Sequence, residues 1–422
     1  MAREFKDSGI EWIGQIPKEW EVNKIGNLYQ VRNEKVSDKD YPPLSVTMNG
    51  IVPQLETAAK TNNGDDRKLV CKGDFAINSR SDRRGSCGVS QYDGSVSLIN
   101  TILKPRGSMN PQYYNWLFHT ELFADEFYRW GHGIVDDLWT TRWQEMKNIS
   151  IVSPSLYEQQ KIADYLDKVC GEVDEMVALQ ETMIEELKAY KQSVITEAVT
   201  KGLNPNAPMR NSGIDWIGEI PEHWEVQPFK WILRKPLQYG ANESGVLYDD
   251  SLPRYVRITD ILNNSLREDL QKQSLTDEQA EGYILEDDDI LFARSGGTVG
   301  KAFIYKKEYG RCAFAGYLIR AQIKAHCCPN YVYYYTQSQS YDEWKRQIFI
   351  QATIQNIGAD RYSLMELPVP PLSEQRTIAS YLDTKCSEID SLIALKQAKI
   401  EELKEYKKSV IYEYVTGKKE VI

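Results

Sequence analysis

Two stretches of the chain set arginine and lysine among small residues. Residues 79–88 read SerArgSerAspArgArgGlySerCysGly and carry Arg80, Arg83 and Arg84. Residues 294–301 carry Arg294, Ser295, Thr298 and Lys301 beside three glycines. Small residues let a backbone come close to a phosphate, while guanidinium and ammonium groups supply charge and base-edge donors. A solvated hairpin turn has the same composition, so one such loop alone decides little. Their placement carries more weight. Each follows an Asp-headed apolar run, AspPheAlaIleAsnSerArg at 74–80 and AspIleLeuPheAlaArgSer at 289–295. Tyr239 and Asn242 in TyrGlyAlaAsn, Arg254 and Arg257, and Arg142 within TrpThrThrArgTrp at 139–143 are further candidates for binding DNA.

Residue patterns that would mark catalysis are missing. The four histidines, His119, His132, His223 and His326, form no HExxH or comparable metal-ligand set. The run RSGGTVGKA at 294–302 resembles a phosphate loop but fails its spacing, because Lys301 is followed by Ala302 and no glycine stands five residues before Gly300. No NPPY- or DPPY-like element for amino-methyl transfer occurs. The seven cysteines offer no CxxC pair, and their scatter suits reduced thiols; the adjacent Cys327 and Cys328 lack the intervening residues a ligand pair normally needs. No catalytic and no metal residue is therefore expected.

At 422 residues with 41% hydrophobic content, the chain has material for two to four packed domains. No apolar run approaches the length of a membrane span, and the start has no signal pattern, so a cytoplasmic protein with no membrane partner is expected. The net charge of −10 weighs against a nucleic-acid partner at first. Its distribution softens the objection. Residues 23–154 hold 16 basic and 15 acidic side chains, and residues 227–371 hold 17 and 18. Residues 155–202 hold 5 and 10, so the acidity gathers in a connector.

The elements that must position the loops are written twice. SGIEWIGQIPKEWEV at 8–22 and SGIDWIGEIPEHWEV at 212–226 agree at 11 of 15 positions, at an offset of 204. Residues 158–200 and 374–416 agree at 25 of 43, at an offset of 216. Both of these longer segments predict a helix. Apolar residues recur at coiled-coil spacing through Ile162, Leu166, Val169, Val173, Met176, Met183, Leu187, Tyr190 and Val194, and in the copy through Ile378, Leu382, Ile389, Leu392, Leu403, Tyr406 and Val410. Gln180 and Lys396 share one polar seam position. Two equal stripes favour pairing of the helices with each other over packing of each on its own module. A helix of this length spans roughly 65 Å, enough to hold two modules about a turn or two apart on DNA, which advances roughly 34 Å per turn. Between the repeats the modules scarcely align. Short strands at 251–261 and 289–294 and aromatic helical patches at 111–130 and 330–347 predict α+β modules with mostly antiparallel sheets.

The two doubled motifs, with the EQxxIAxYLD opening of each helix, resemble the specificity subunits of type I restriction–modification systems over the whole chain. The resemblance implies an α+β fold of two globular target-recognition domains separated by two long antiparallel coiled-coil helices, with an internal pseudo-two-fold repeat. The implied division is 1–154 for the first recognition domain, 155–202 for the central spacer helix, 203–371 for the second domain and 372–422 for the C-terminal spacer helix. Its implied partners are double-stranded DNA with a bipartite asymmetric site, two methyltransferase subunits and restriction subunits. The chain itself would be non-catalytic and need no cofactor; S-adenosylmethionine for adenine-N6 methylation, ATP and Mg would bind the partner subunits. Leu166, Val173, Leu187, Val194, Leu382, Ile389, Leu403 and Val410 would form the helix seam and dock partners. A helical scaffold tethering two protein-binding modules stays open as the alternative.

Overall fold

The computed structural model describes residues 3–56, 64–80, 83–133, 139–262, 265–350 and 355–421. Residues divide into two compact units: Met1–Glu181 with Ala398–Ile422, and Thr182–Gln397. Each unit thus takes one part of the central helix, Leu156–Lys201, and one part of the C-terminal helix, Leu372–Val415.

In the first unit the signature segment forms a hairpin, Phe5–Asp7 against Gln15–Pro17. It buries Ile10, Ile13 and Ile16 and delivers Trp20 fully into the core. The main sheet contains β1 (Tyr29–Val31), β2 (Phe75–Asn78), β3 (Cys87–Val89) and β4 (Asn100–Pro105) in the antiparallel order β3-β2-β4-β1. A smaller antiparallel sheet joins Gly94–Val96, Arg67–Val70 and Lys35–Val36. Two short helices, α1 (Pro111–Phe118) and α2 (Glu121–Arg129), supply Tyr113, Tyr114, Phe118 and Phe123 to the core around Tyr29 and Phe75. Asn110 and Thr120 cap them through their side chains, satisfying backbone donors that a helix start leaves open.

The second unit repeats this plan. Met209–Asn211 pairs with Glu219–Pro221, and Trp224 is buried as Trp20 is. Strands β5 (Gln238–Tyr239), β6 (Ile290–Ala293), β7 (Ala302–Ile304) and β8 (Leu318–Ala321) form an antiparallel sheet in the order β7-β6-β8-β5, which matches the first sheet strand for strand. The smaller sheet departs from an all-antiparallel pattern: Arg254–Val256 runs parallel to Cys312–Phe314. Helices α3 (Pro329–Tyr335) and α4 (Gln339–Ile350) stand where α1 and α2 stand in the first unit.

Within each unit the two long helices pair antiparallel. In the first, Ile162, Ala163, Leu166 and Cys170 join one core with Val410, Ile411 and Val415. Lys407 Nζ reaches Asp174 at 2.6 Å, and the Tyr165 and Tyr414 rings lie 4.5 Å apart. In the second, Ile195, Ala198 and Val199 share a core with Ile378, Ala379, Leu382 and Cys386. There Lys191 Nζ reaches Asp390 at 2.7 Å. Early residues of one helix therefore meet late residues of the other in both units.

The expected seam needs correction in its middle. Leu166, Val173, Leu382, Ile389, Leu403 and Val410 are buried, and Leu187 and Val194 are half-buried. Met176, Tyr190, Leu392 and Tyr406, placed on the same stripe by spacing, are instead exposed, while Ile184 and Ile400 are buried. A straight α-helix drifts by about 20° per heptad from a 3.5-residue repeat, so a stripe counted strictly in fours and threes rotates off the interface.

The repeated EQ dipeptides have a structural task. Gln159 donates to Pro154 O at 2.9 Å and accepts from Asn110 N at 2.9 Å, tying the helix start to α1. Gln375 does the same with Pro370 O at 2.8 Å and Cys328 N at 2.7 Å. At the far helix ends, Gly202 and Gly417 adopt positive φ, 74° and 73°, as a left-handed helix stop requires. Tyr113 donates to Val415 O at 2.8 Å, and Tyr331 donates to Val199 O and Pro368 O, each at 3.0 Å. At Val415 and Val199 these hydroxyls reach carbonyls of the kind that the last turn of a helix leaves unpaired.

Candidate nucleic-acid interface

In the second unit the basic loop begins where β6 ends. Arg294 N donates to Tyr317 O at 3.1 Å, Ile357 N donates to Arg294 O at 2.9 Å, and Ser295 bridges Asn356. Gly300 N returns to Ala293 O at 2.8 Å, which closes the loop. The Arg294 backbone is thus held on both sides. Its guanidinium carbon lies 5.1 Å from the Tyr239 ring and 5.8 Å from the Tyr317 ring, within cation–π range of both. Those tyrosines are 41% and 61% exposed, so the cluster faces solvent. Arg294 Nε and Thr298 Oγ1 are buried without a hydrogen-bond partner among the described residues.

Tyr239 is itself fixed, since its hydroxyl accepts from Ala359 N at 3.0 Å. The next residue must be glycine: a Cβ at Gly240 would collide with the carbonyl oxygens of Phe314 and Ala315. That close approach brings the 239–242 segment against the turn between the Cys312–Phe314 strand and β8, where Ala241 N donates to Phe314 O and Gly316 N to Ala241 O. Asn242 is exposed next to Gly316. Lys301 is exposed, Ser295 and Thr298 are half-buried, and the Lys345 side chain lies against Gly300. A groove of about 430 Å³ near Ala359 adds Lys230, Arg234 and Lys235.

Arg257 and Arg254 do not join this cluster. Arg257 holds both oxygens of Asp260, at 3.0 and 2.9 Å, and also bonds Gln273 and Gln271 O. The Asp260 carboxylate keeps its guanidinium more firmly protonated than usual. Arg254 pairs with Glu268 at 2.7 Å and with Arg267 O. Both arginines brace their own module. The other titrating group nearby, Asp289, is raised by burial and bonds Glu286 N and Gln322, so it supports the turn before β6.

The first unit brings two separated candidates together. Arg80, at the end of β2, bridges Thr140, and Thr141 N donates to Ser79 O at 3.0 Å. The TrpThrThrArgTrp run therefore lies beside the 79–84 loop. Arg80 is half-buried, Arg83, Arg84 and Arg142 are exposed, and Arg84 pairs with Asp125. Ser81 and Asp82 lie outside the described residues. The bridges Arg80–Thr140 and Ser295–Asn356 make Arg80 the counterpart of Ser295, and Ser79 the counterpart of Arg294. Ser79 is buried and bonds Thr101 at 3.0 Å. The two modules thus present different chemistry at one fold position. Sequence reading missed Tyr317, whose only signal is an exposed aromatic after AlaGly at a strand start.

A family model described as the type I restriction modification DNA specificity domain matches residues 17–189 and 241–405. The chain belongs to this family. Its two matches fall on the two recognition domains and the helices that follow them. Among similar proteins is the StySPI specificity subunit of Salmonella potsdam, 28% identical over 47% of this chain and 44% of that one. The EcoKI specificity subunit of Escherichia coli K12 is 27% identical over 48% and 44%. The match thus spans less than half the length of those two subunits. A putative specificity subunit, MjaX of Methanocaldococcus jannaschii, is 23% identical over 96% of this chain and 95% of that one. A solved type I restriction–modification chain has the same fold, with TM-score 0.73 and 14% identity over 95% of this chain and 98% of its own. The HsdS subunit from Thermoanaerobacter tengcongensis follows at TM-score 0.51 and 15% identity, with 95% and 98% covered.

Proposed function

We propose that this specificity-family chain reads a bipartite, asymmetric DNA site, one half through each recognition domain, and carries methyltransferase and restriction subunits to it. The observation that carries the reading is the duplicated frame with unlike tips. Equal signature hairpins, sheets and helices hold loops whose exposed basic groups differ between units, as two different half-sites require.

Docking of two like partners is supported by a second duplication. Met176 and Leu179, with Tyr406, are exposed in the first unit near the Asp174–Lys407 pair. Their counterparts at the 216-residue offset, Leu392 and Leu395 with Tyr190, are exposed near Asp390–Lys191 in the second. Exposed apolar groups that recur in register mark a surface covered in an assembly. The partners would be two methyltransferase subunits, with restriction subunits added. S-adenosylmethionine, ATP and Mg would bind those partners, and this chain would hold no cofactor and act in the cytoplasm. No helix among the described residues is long and apolar enough to cross a membrane.

The test is a methylation map of cells carrying the chain and its neighbouring methyltransferase, with and without the chain. A two-part adenine-methylated motif of fixed gap is expected to vanish when the chain is absent. Identical maps despite an active methyltransferase would favour the protein-scaffold alternative.

A further inference from the structure

We propose that Arg294, whose guanidinium lies against Tyr239 and Tyr317, reads a guanine in the half-site bound by the second unit. This rests on the DNA-reading function and names one base within it. The guanidinium carbon lies 5.1 and 5.8 Å from the centroids of two aromatic rings, which hold the group by cation–π attraction. Its Nε is buried, which closes the side of the fork that includes that nitrogen. What remains for a ligand is the pair of terminal nitrogens, two coplanar donors.

Guanine offers the matching pair of acceptors, O6 and N7, on its major-groove edge, and arginine bidentate to them is the commonest specific contact to DNA. A phosphate also accepts two donors. Phosphate contacts position the protein and carry no sequence information, and they are made equally by flexible lysines. Here the backbone of Arg294 is tied on both sides, and Tyr239 is tied through Ala359 N. Such restraint lowers the ordering cost of a contact that depends on angle. Tyr239 and Tyr317 act as positioning residues, and the absence of an arginine at Ser79 confines this reading to the second unit.

The experiment selects bound molecules from a pool of duplexes with randomised positions, using the full chain at fixed salt. The wild type is expected to require guanine at one position of one half-site. R294A and the charge-keeping R294K are both expected to lose that requirement alone, and Y317A to weaken it. Placing 7-deazaguanine at that position, which removes only N7, is expected to weaken wild-type binding by about tenfold and leave R294A unchanged. This comparison uses the wild-type chain, so it stands even where a variant folds poorly. Loss of affinity by R294A on every sequence, with a salt slope smaller by about one, would make Arg294 a phosphate contact and overturn the guanine assignment. Retained guanine selection by R294K, or wild-type binding indifferent to 7-deazaguanine, would overturn it too. A wild type that selects no sequence would overturn the DNA-reading function itself.

Discussion

The strand-end positions of the two units differ where almost everything beneath them agrees. Strands β2 and β6 occupy the same place in sheets of the same order, and each follows a buried aspartate. Past the strand the first unit has Ser79, buried and bonded to Thr101, while the second has Arg294 between two exposed tyrosines. The strands and the residues buried beneath them set the frame, and the residues just past the strands differ in type and in exposure. Two specificities can therefore occupy one fold without disturbing it.

The strongest way to test the shared frame is to remove its paired tryptophans. Trp20 and Trp224 are both buried in their cores. Trp20→Ala and Trp224→Ala are each expected to cost about 3–5 kcal/mol, with hydrogen exchange rising in the first and second unit respectively. Exchange rising equally in both units for either variant would contradict separate cores. The tyrosines at the helix ends come next. Tyr331→Phe strips a donor from two buried carbonyls and should cost about 1–3 kcal/mol, and Tyr113→Phe, with one acceptor, about 1. Chemical denaturation of the two variants checks that order.

A third contrast depends on pH. Burial holds the His119 ring below the ordinary imidazole value, with its Nδ1 2.7 Å from Asn115 O. The folded unit binds that proton less readily than the unfolded chain, so stability is full above about pH 6.5 and is lost as the pH falls below it. Gln337 occupies the matching place in the second unit, before the Ser338 cap. His119→Gln should therefore flatten the acid-side melting curve of the first unit and leave that of the second unchanged. The smallest effect belongs to the surface pairs. Lys191→Met and Lys407→Met each remove a solvent-accessible ion pair between the long helices and should cost about 0.2–1 kcal/mol. A larger loss would mean that these pairs, rather than the apolar seam, hold the helices together.

The repeats were legible because their residues serve the frame: Trp20, Gln159 and the helix stripes recur with the bonds they make. The rest was hidden for physical reasons. The likeness of the modules resides in backbone pairing, and sheet order constrains mainly burial, so Phe75 and Ile290 can differ. One repeated signal went unread: Pro111-x-Tyr113 and Pro329-x-Tyr331, each a helix start and the hydroxyl that closes a long helix. The seam was legible at its ends, near Leu166 and Leu382, and misplaced at Met176 and Tyr190, where helix geometry departs from the heptad. Among the loop arginines, spacing alone did not separate Arg294, which stands between tyrosines, from Arg257, which is spent on Asp260.

The central claim is that two independent readers sit on one duplicated frame. Its most direct test exchanges residues 227–365 for the matching segment of another family member and maps adenine methylation in cells with the neighbouring methyltransferase. One half of the methylated motif is expected to change while the other half stays the same. A change in both halves, or in neither, would contradict the account.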